Sequence, residues 1–124
     1  MSAKVPDHAA VQHATAPSDR EIDVAVRVLK LLANPTRLRI VWALLHGEHS
    51  VNDLADHVGA RPTTVSQHLA KLRAADVVVV RRDGNRLFYA ARNDHIERLA
   101  TEALLQADHV VGGGRHHRAS TRSA

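Results

Sequence analysis

The chain has 124 residues, enough to bury one hydrophobic core but not two. It contains no cysteine, which excludes disulfides, thiolate metal sites and thiol nucleophiles, and no apolar run approaches the ~20 residues of a membrane span. Lys and Arg number 17 against 13 Asp and Glu, a net charge of +4 that suits a polyanionic partner.

Residues 1–18 mix small and polar side chains with Pro6 and Pro17 and read as a flexible N-terminal arm without an apolar signal core, so the cytoplasm is the expected compartment. Ser18 or Asp19 caps a first helix, with Glu21 in its first turn. Ile22, Val26, Leu29 and Ala33 recur along it at helical spacing. Asn34-Pro35 breaks the chain and opens a second helix with Leu38, Val41, Trp42 and Leu45 as its apolar stripe, ended at Gly47. Ser50 caps a short third helix, with Asp53 three positions on as in a capping box; Leu54 and Val58 face inward and Gly59 stops it. A turn, Gly59-Ala60-Arg61, leads to Pro62 and a fourth helix that ends near Ala75, with Val65, Leu69 and Leu72 inward. Val77 to Val80 read as a strand, Asp83-Gly84 as a hairpin turn within Arg81–Arg86, and Leu87 to Ala91 as the return strand. A last helix runs from Asn93 or Asp94 to near Val111, where Gly112-Gly113-Gly114 ends it; residues 112–124 are a basic, His-containing tail. The predicted fold class is mostly α with a small β-hairpin: a winged helix-turn-helix over residues 19–111.

Two short helices joined by a turn and followed by a basic hairpin are the parts of a DNA reader. The fourth helix seats one face with Val65, Leu69 and Leu72 and presents Thr63, Thr64, Ser66, Gln67, His68 and Lys71 on the other. Gln pairs with adenine, and Ser and Thr reach bases or phosphates. Arg61 and Arg73 bracket this helix, and Arg81, Arg82 and Arg86 flank the wing tip, where phosphates or the minor groove would lie. The only aromatic residues are Trp42, Phe88 and Tyr89, too few for a single-strand stacking platform, so double-stranded DNA is the expected partner.

At Ala33-Asn34-Pro35-Thr36-Arg37-Leu38-Arg39-Ile40 the sequence resembles the ArsR/SmtB family of bacterial metal-sensing repressors. The likeness continues at Ser50 to Ala55, at Val65 to Arg73 and at Arg82 to Tyr89, and spans roughly residues 20–112. The resemblance implies a homodimer that holds operator DNA without inducer, releases it when metal binds, and controls a metal efflux gene. The arsenic, cadmium and lead sensors of the family carry Cys-x-Cys ligands where this chain has Ser50, Val51 and Asn52, so soft-metal sensing is not expected.

The last helix and tail place His95, Asp108, His109, His116 and His117 in order. His95 and His109 share roughly one helix face but lie ~21 Å apart along the axis, so one straight helix cannot bring both to one ion. Two copies packed antiparallel across a dimer axis can, giving two equivalent sites. Imidazole and carboxylate donors suit Ni(II) and Co(II), with Zn(II) as a further candidate. Zinc-sensing relatives open this helix with Asp-x-His; here it opens Asn93-Asp94-His95, and Gln106 stands where a closing His would fall. The spacing is more similar to the mycobacterial cobalt/nickel sensors of the family, with Asp108 in place of Glu.

Other readings of these residues are open. His95 can pack at the dimer interface, Asp108-His109 can be a solvated helix end, and the tail can touch DNA, leaving a winged-helix regulator not controlled by metal. His46, His49 and His57 read as surface polarity near turns. A metal-dependent hydrolase has no His-Glu-x-x-His helix to stand on, so no enzyme activity is expected. The first and last helices are expected to build the dimer interface, burying Leu99 and Leu104.

Overall fold

The computed structural model describes residues 15–123, and side chains through residue 112. Among the described residues there are five helices and one hairpin: α1 (Asp19–Leu32), α2 (Pro35–Leu44), α3 (Val51–Val58), α4 (Pro62–Ala74), β1 (Val78–Asp83), β2 (Arg86–Ala91) and α5 (Asp94–Ser123). The arm expected over residues 1–18 lies outside them up to residue 14.

Local chemistry sets the helix starts. Ser18 forms a complete capping box with Glu21: its Oγ accepts from Glu21 N–H at 3.1 Å, and its own N–H donates to Glu21 Oε1 at 2.8 Å. Asn34 Oδ1 accepts from Arg37 N–H at 2.9 Å ahead of Pro35 at the first position of α2. Ser50 Oγ accepts from Asp53 N–H at 3.2 Å, but the reciprocal half of that box is not formed, because the Asp53 carboxylate turns toward the His49 ring instead (3.9 Å). Gly59, at φ 68°, ends α3 in the left-handed region that a side chain would resist.

The core gathers Ile40, Val41 and Leu44 of α2, Leu54 of α3, and Val65, Leu69 and Leu72 of α4, closed by Val77, Val78 and, from α5, Ile96 and Ala100. Two expectations about burial are corrected. Trp42 stands 49% exposed, because α2 turns Ile40, Val41, Ala43 and Leu44 inward instead. The stripe of α1 is also outside, with Ile22 48% and Leu29 52% exposed, so only the end of that helix, at Leu32, enters the core.

α4 ends in a Schellman motif. Asp76 takes a left-handed φ of 64°, its N–H donates to the Arg73 carbonyl, and Val77 N–H donates to the Leu72 carbonyl at 2.9 Å. Val77 therefore belongs to this turn, and β1 begins one residue later than expected. The strands pair antiparallel from Val78 with Ala91 to Asp83 with Arg86. The turn is the two residues Gly84-Asn85, with Gly84 at φ 64° and Asn85 not left-handed, the pattern of a II′ turn with glycine first. Arg81 and Arg82 consequently lie within β1 rather than in the turn.

Two further points differ from the sequence expectation. His49 exchanges both backbone hydrogen bonds with Tyr89 (3.0 and 2.8 Å), so the α2–α3 connection lies along β2 like a third strand. α5 does not end at Gly112-Gly113-Gly114 but continues to Ser123. Glycine disfavours a helix by only about 1 kcal/mol per residue and forbids none of its dihedral angles. No helix among the described residues is long and apolar enough to cross a membrane.

Candidate nucleic-acid interface and candidate metal ligands

α4 is divided along its length as a reading helix requires. Val65, Leu69 and Leu72 are fully buried, while Thr63, Ser66, Gln67, Lys71 and Arg73 are exposed on the other side, together with Arg61 before the first turn. The N-cap residue Arg61 makes no side-chain cap bond, so the first N–H groups of α4 have no capping acceptor from its own N-cap. Thr64 and His68 are half-buried. His68 is engaged: Arg37 Nη1 lies 3.2 Å from its Nδ1. Ser66 and Arg73 line a groove between α4 and β2 whose other wall is Tyr89.

The wing arginines differ from one another. Pairing places Arg81, Asp83, Arg86 and Phe88 on one face of the hairpin, and Arg82, Leu87 and Tyr89 on the other. Arg81 is held by Glu48, with Nε and Nη2 2.5 to 3.2 Å from its carboxylate, and by Asp83 at 3.8 Å. Its guanidinium also lies over the Phe88 ring at 4.9 Å, and that of Arg86 lies over it at 5.1 Å. Hydrogen bonding and charge from Arg81 hold the Glu48 carboxyl below the usual carboxylate range. Arg82 makes no ion pair among the described residues. Glu48 was missed in the sequence, where nothing local links it to a strand 33 residues away.

The metal candidates are less assembled. His95 is exposed in the first turn of α5, its Nδ1 3.0 Å from Arg98 Nη2. Asp108 and His109 lie more than three turns further along and face solvent. His116 and His117 are within the span of α5, but their side chains lie outside the described residues. Among the described residues no three His, Asp or Glu side chains gather as a metal site.

The exposed apolar residues of α1 continue onto a groove lined by Leu32, Pro35, Leu38, Trp42 and, from α5, Leu104. Further along α5, Leu105 and Val110 are exposed as well, the latter at 68%.

The profile of bacterial regulatory proteins of the arsR family matches residues 34–79, the stretch from the cap of α2 into β1. The regulator KmtR of Mycobacterium tuberculosis is 45% identical over 103 residues, covering 82% of this chain and 79% of its own length. Among solved structures, the homodimeric winged helix-turn-helix DNA-binding domain Mb0332 of Mycobacterium bovis superposes with a TM-score of 0.68 at 34% identity, covering 78% of this chain and 93% of that one. The antimony-specific transcriptional repressor AntR superposes at 0.71 with 30% identity, covering 82% and 92%.

Proposed function

This chain belongs to the ArsR family of winged helix-turn-helix transcriptional regulators, not to an enzyme family, and from that premise we propose that it is a homodimeric repressor that releases operator DNA on binding Ni(II) or Co(II), with Zn(II) as a further candidate. Control of a metal efflux gene follows from the same reading. The observation that carries the DNA half is the division of α4: a fully buried apolar side, and an exposed side of Thr63, Ser66, Gln67 and Lys71 beside Arg82 and Arg86 of the wing. Ser66 and Gln67 would read base edges, with Thr63 and Thr64 near the start of the helix. Arg61, Lys71, Arg73, Arg82 and Arg86 would meet phosphates.

The metal half is supported by donor chemistry. His95, Asp108 and His109, with His116 and His117, form an imidazole and carboxylate set without thiolate, which fits Ni(II) and Co(II). Their separation along one helix fits a site completed by a second copy. Bound metal would supply a fixed link between subunits, and so a preference for one subunit arrangement. His95 must first give up Arg98, because a guanidinium can only donate and therefore occupies the Nδ1 lone pair.

That same contact favours a second reading, a regulator of this family that does not respond to metal: His95 already has a partner within its own helix turn. The two are separated by titrating the protein–DNA complex with nickel, cobalt and zinc while following fluorescence anisotropy, with chelator reversal. Metal-dependent loss of anisotropy, restored by chelator, supports the first reading, and no response to any of the three supports the second.

A further inference from the structure

Arg37 in the first turn of α2 has three connections that meet at one side chain. Its backbone N–H donates to Asn34 Oδ1, its Nε donates to the Leu31 carbonyl in the last turn of α1 at 2.6 Å, and its Nη1 lies 3.2 Å from His68 Nδ1 in the middle of α4. The guanidinium is permanently charged and has no acceptor, so His68 Nδ1 is the acceptor, its ring proton is on Nε2, and the ring is neutral. We propose that His68 is a positioning residue rather than a DNA contact: as a neutral acceptor it ties α4, through Arg37, to the end of α1.

The placement gives this bond leverage. His68 stands beside Gln67 and one turn before Lys71, at the border between the buried and reading faces of α4. Leu31 lies at the end of the helix whose exposed apolar face awaits a second copy. A change in how α1 is held reaches α4 through two hydrogen bonds on one guanidinium.

The charged groups facing His68 are Arg37 from α2 and Lys71 from α4 itself, both cations, and no carboxylate from α3 or β1 opposes them. Partial burial first, and then these two cations, hold its pKa below the ordinary imidazole value of 6.5. Protonation removes the acceptor and sets a cation against Arg37. Both folding and the pairing therefore favour neutral His68, and the contribution is lost as the pH falls below 6.5. A histidine that touched phosphate would act in the opposite sense, strengthening DNA binding on acidification.

The role rests on the DNA-binding reading above, and the test separates the two. A duplex is first selected from a random pool by the wild-type protein at pH 7.5, and its affinity is then measured by anisotropy from pH 7.5 to 5.5 for wild type, His68→Gln and His68→Ala. The glutamine carbonyl preserves an acceptor that does not titrate. His68→Gln is expected to bind within about twofold of wild type at pH 7.5, and His68→Ala to bind about tenfold more weakly, with the slope of affinity against salt unchanged in both. On acidification wild type should lose affinity relative to His68→Gln. Should the alanine variant fail to fold, the wild-type to glutamine ratio still decides. A wild type that tightens relative to His68→Gln at low pH, or a variant with a shallower salt slope, overturns the positioning role and returns His68 to the DNA surface. Failure of the wild-type protein to select any duplex overturns the DNA-binding reading and this role with it.

Discussion

Arg81 and Arg82 are neighbours with equal charge, but the alternation of the strand sends them to opposite faces of the wing. On one face Arg81 meets Glu48, Asp83 and the Phe88 ring; on the other Arg82 has no ion-pair partner among the described residues. To reach a phosphate, Arg81 must first leave a bidentate carboxylate, whereas Arg82 has only water to lose. Arg82→Gln is therefore expected to flatten the salt dependence of DNA binding by about 0.9 in log–log slope, one phosphate's worth of counterion release. Arg81→Gln should change that slope much less. Equal changes in the two variants would show that Glu48 releases Arg81 on DNA. Gln67 and Ser66 belong to a different class, because they carry no charge. Gln67→Ala should cost about 1–3 kcal/mol on a selected operator and little on random duplex, and the ratio of the two affinities is the measurement. Equal losses on both DNAs would remove Gln67 from base readout.

Helix boundaries in this chain are set by side chains close in sequence. Ser50 is buried at the start of α3, and its Oγ is the acceptor for Asp53 N–H, so Ser50→Ala should lower stability by about 1 kcal/mol, read as a drop in the midpoint of urea unfolding at unchanged slope. The caps at Ser18, Asn34, Ser50 and Gly59 were legible in the sequence for the same reason: each is settled within a few residues. The order of helices and hairpin was legible through periodicity. What the sequence did not disclose was settled at long range. His68 was taken as a DNA contact because its helix position gave no sign of Arg37, 31 residues earlier. Trp42 was placed in the core on periodicity alone, although packing against α3 and α4 selected the neighbouring residues of α2. The left-handed turn at Asp76 carries no glycine to announce it. Its φ is maintained where Val77 and Leu72 both bury completely and where the Asp76 carboxylate meets Arg92 at 3.4 Å.

At the scale of the whole molecule, the apolar surface left open by α1, Trp42 and α5 lies on elements other than the reading face of α4, so assembly and DNA contact need not compete for side chains. Ile22 and Leu29 are half exposed in the single chain, so Ile22→Glu with Leu29→Glu should leave its fold intact by circular dichroism. The pair should convert a dimer to a monomer in micromolar sedimentation experiments, and wild type that sediments as a monomer would remove both the dimer and any site shared across it. Two reading helices must stand about 34 Å apart to enter successive major grooves, a spacing that only the dimer sets. Metal acts on this spacing through linkage. It can lower DNA affinity only as far as it binds the DNA-free arrangement more tightly than the DNA-bound one, and a tenfold difference corresponds to about 1.4 kcal/mol. His95 and His109 lie on α5, away from the exposed face of α4. His95→Ala and His109→Ala should therefore hold DNA as wild type does without metal, within about twofold, but fail to release it when nickel or cobalt is added. Loss of DNA binding in the metal-free variants would mean that these histidines serve the fold or the dimer rather than the signal. Normal release at wild-type metal concentrations would mean that the ion binds elsewhere. Retained binding with release abolished in both variants is the outcome that assigns the inducer to α5.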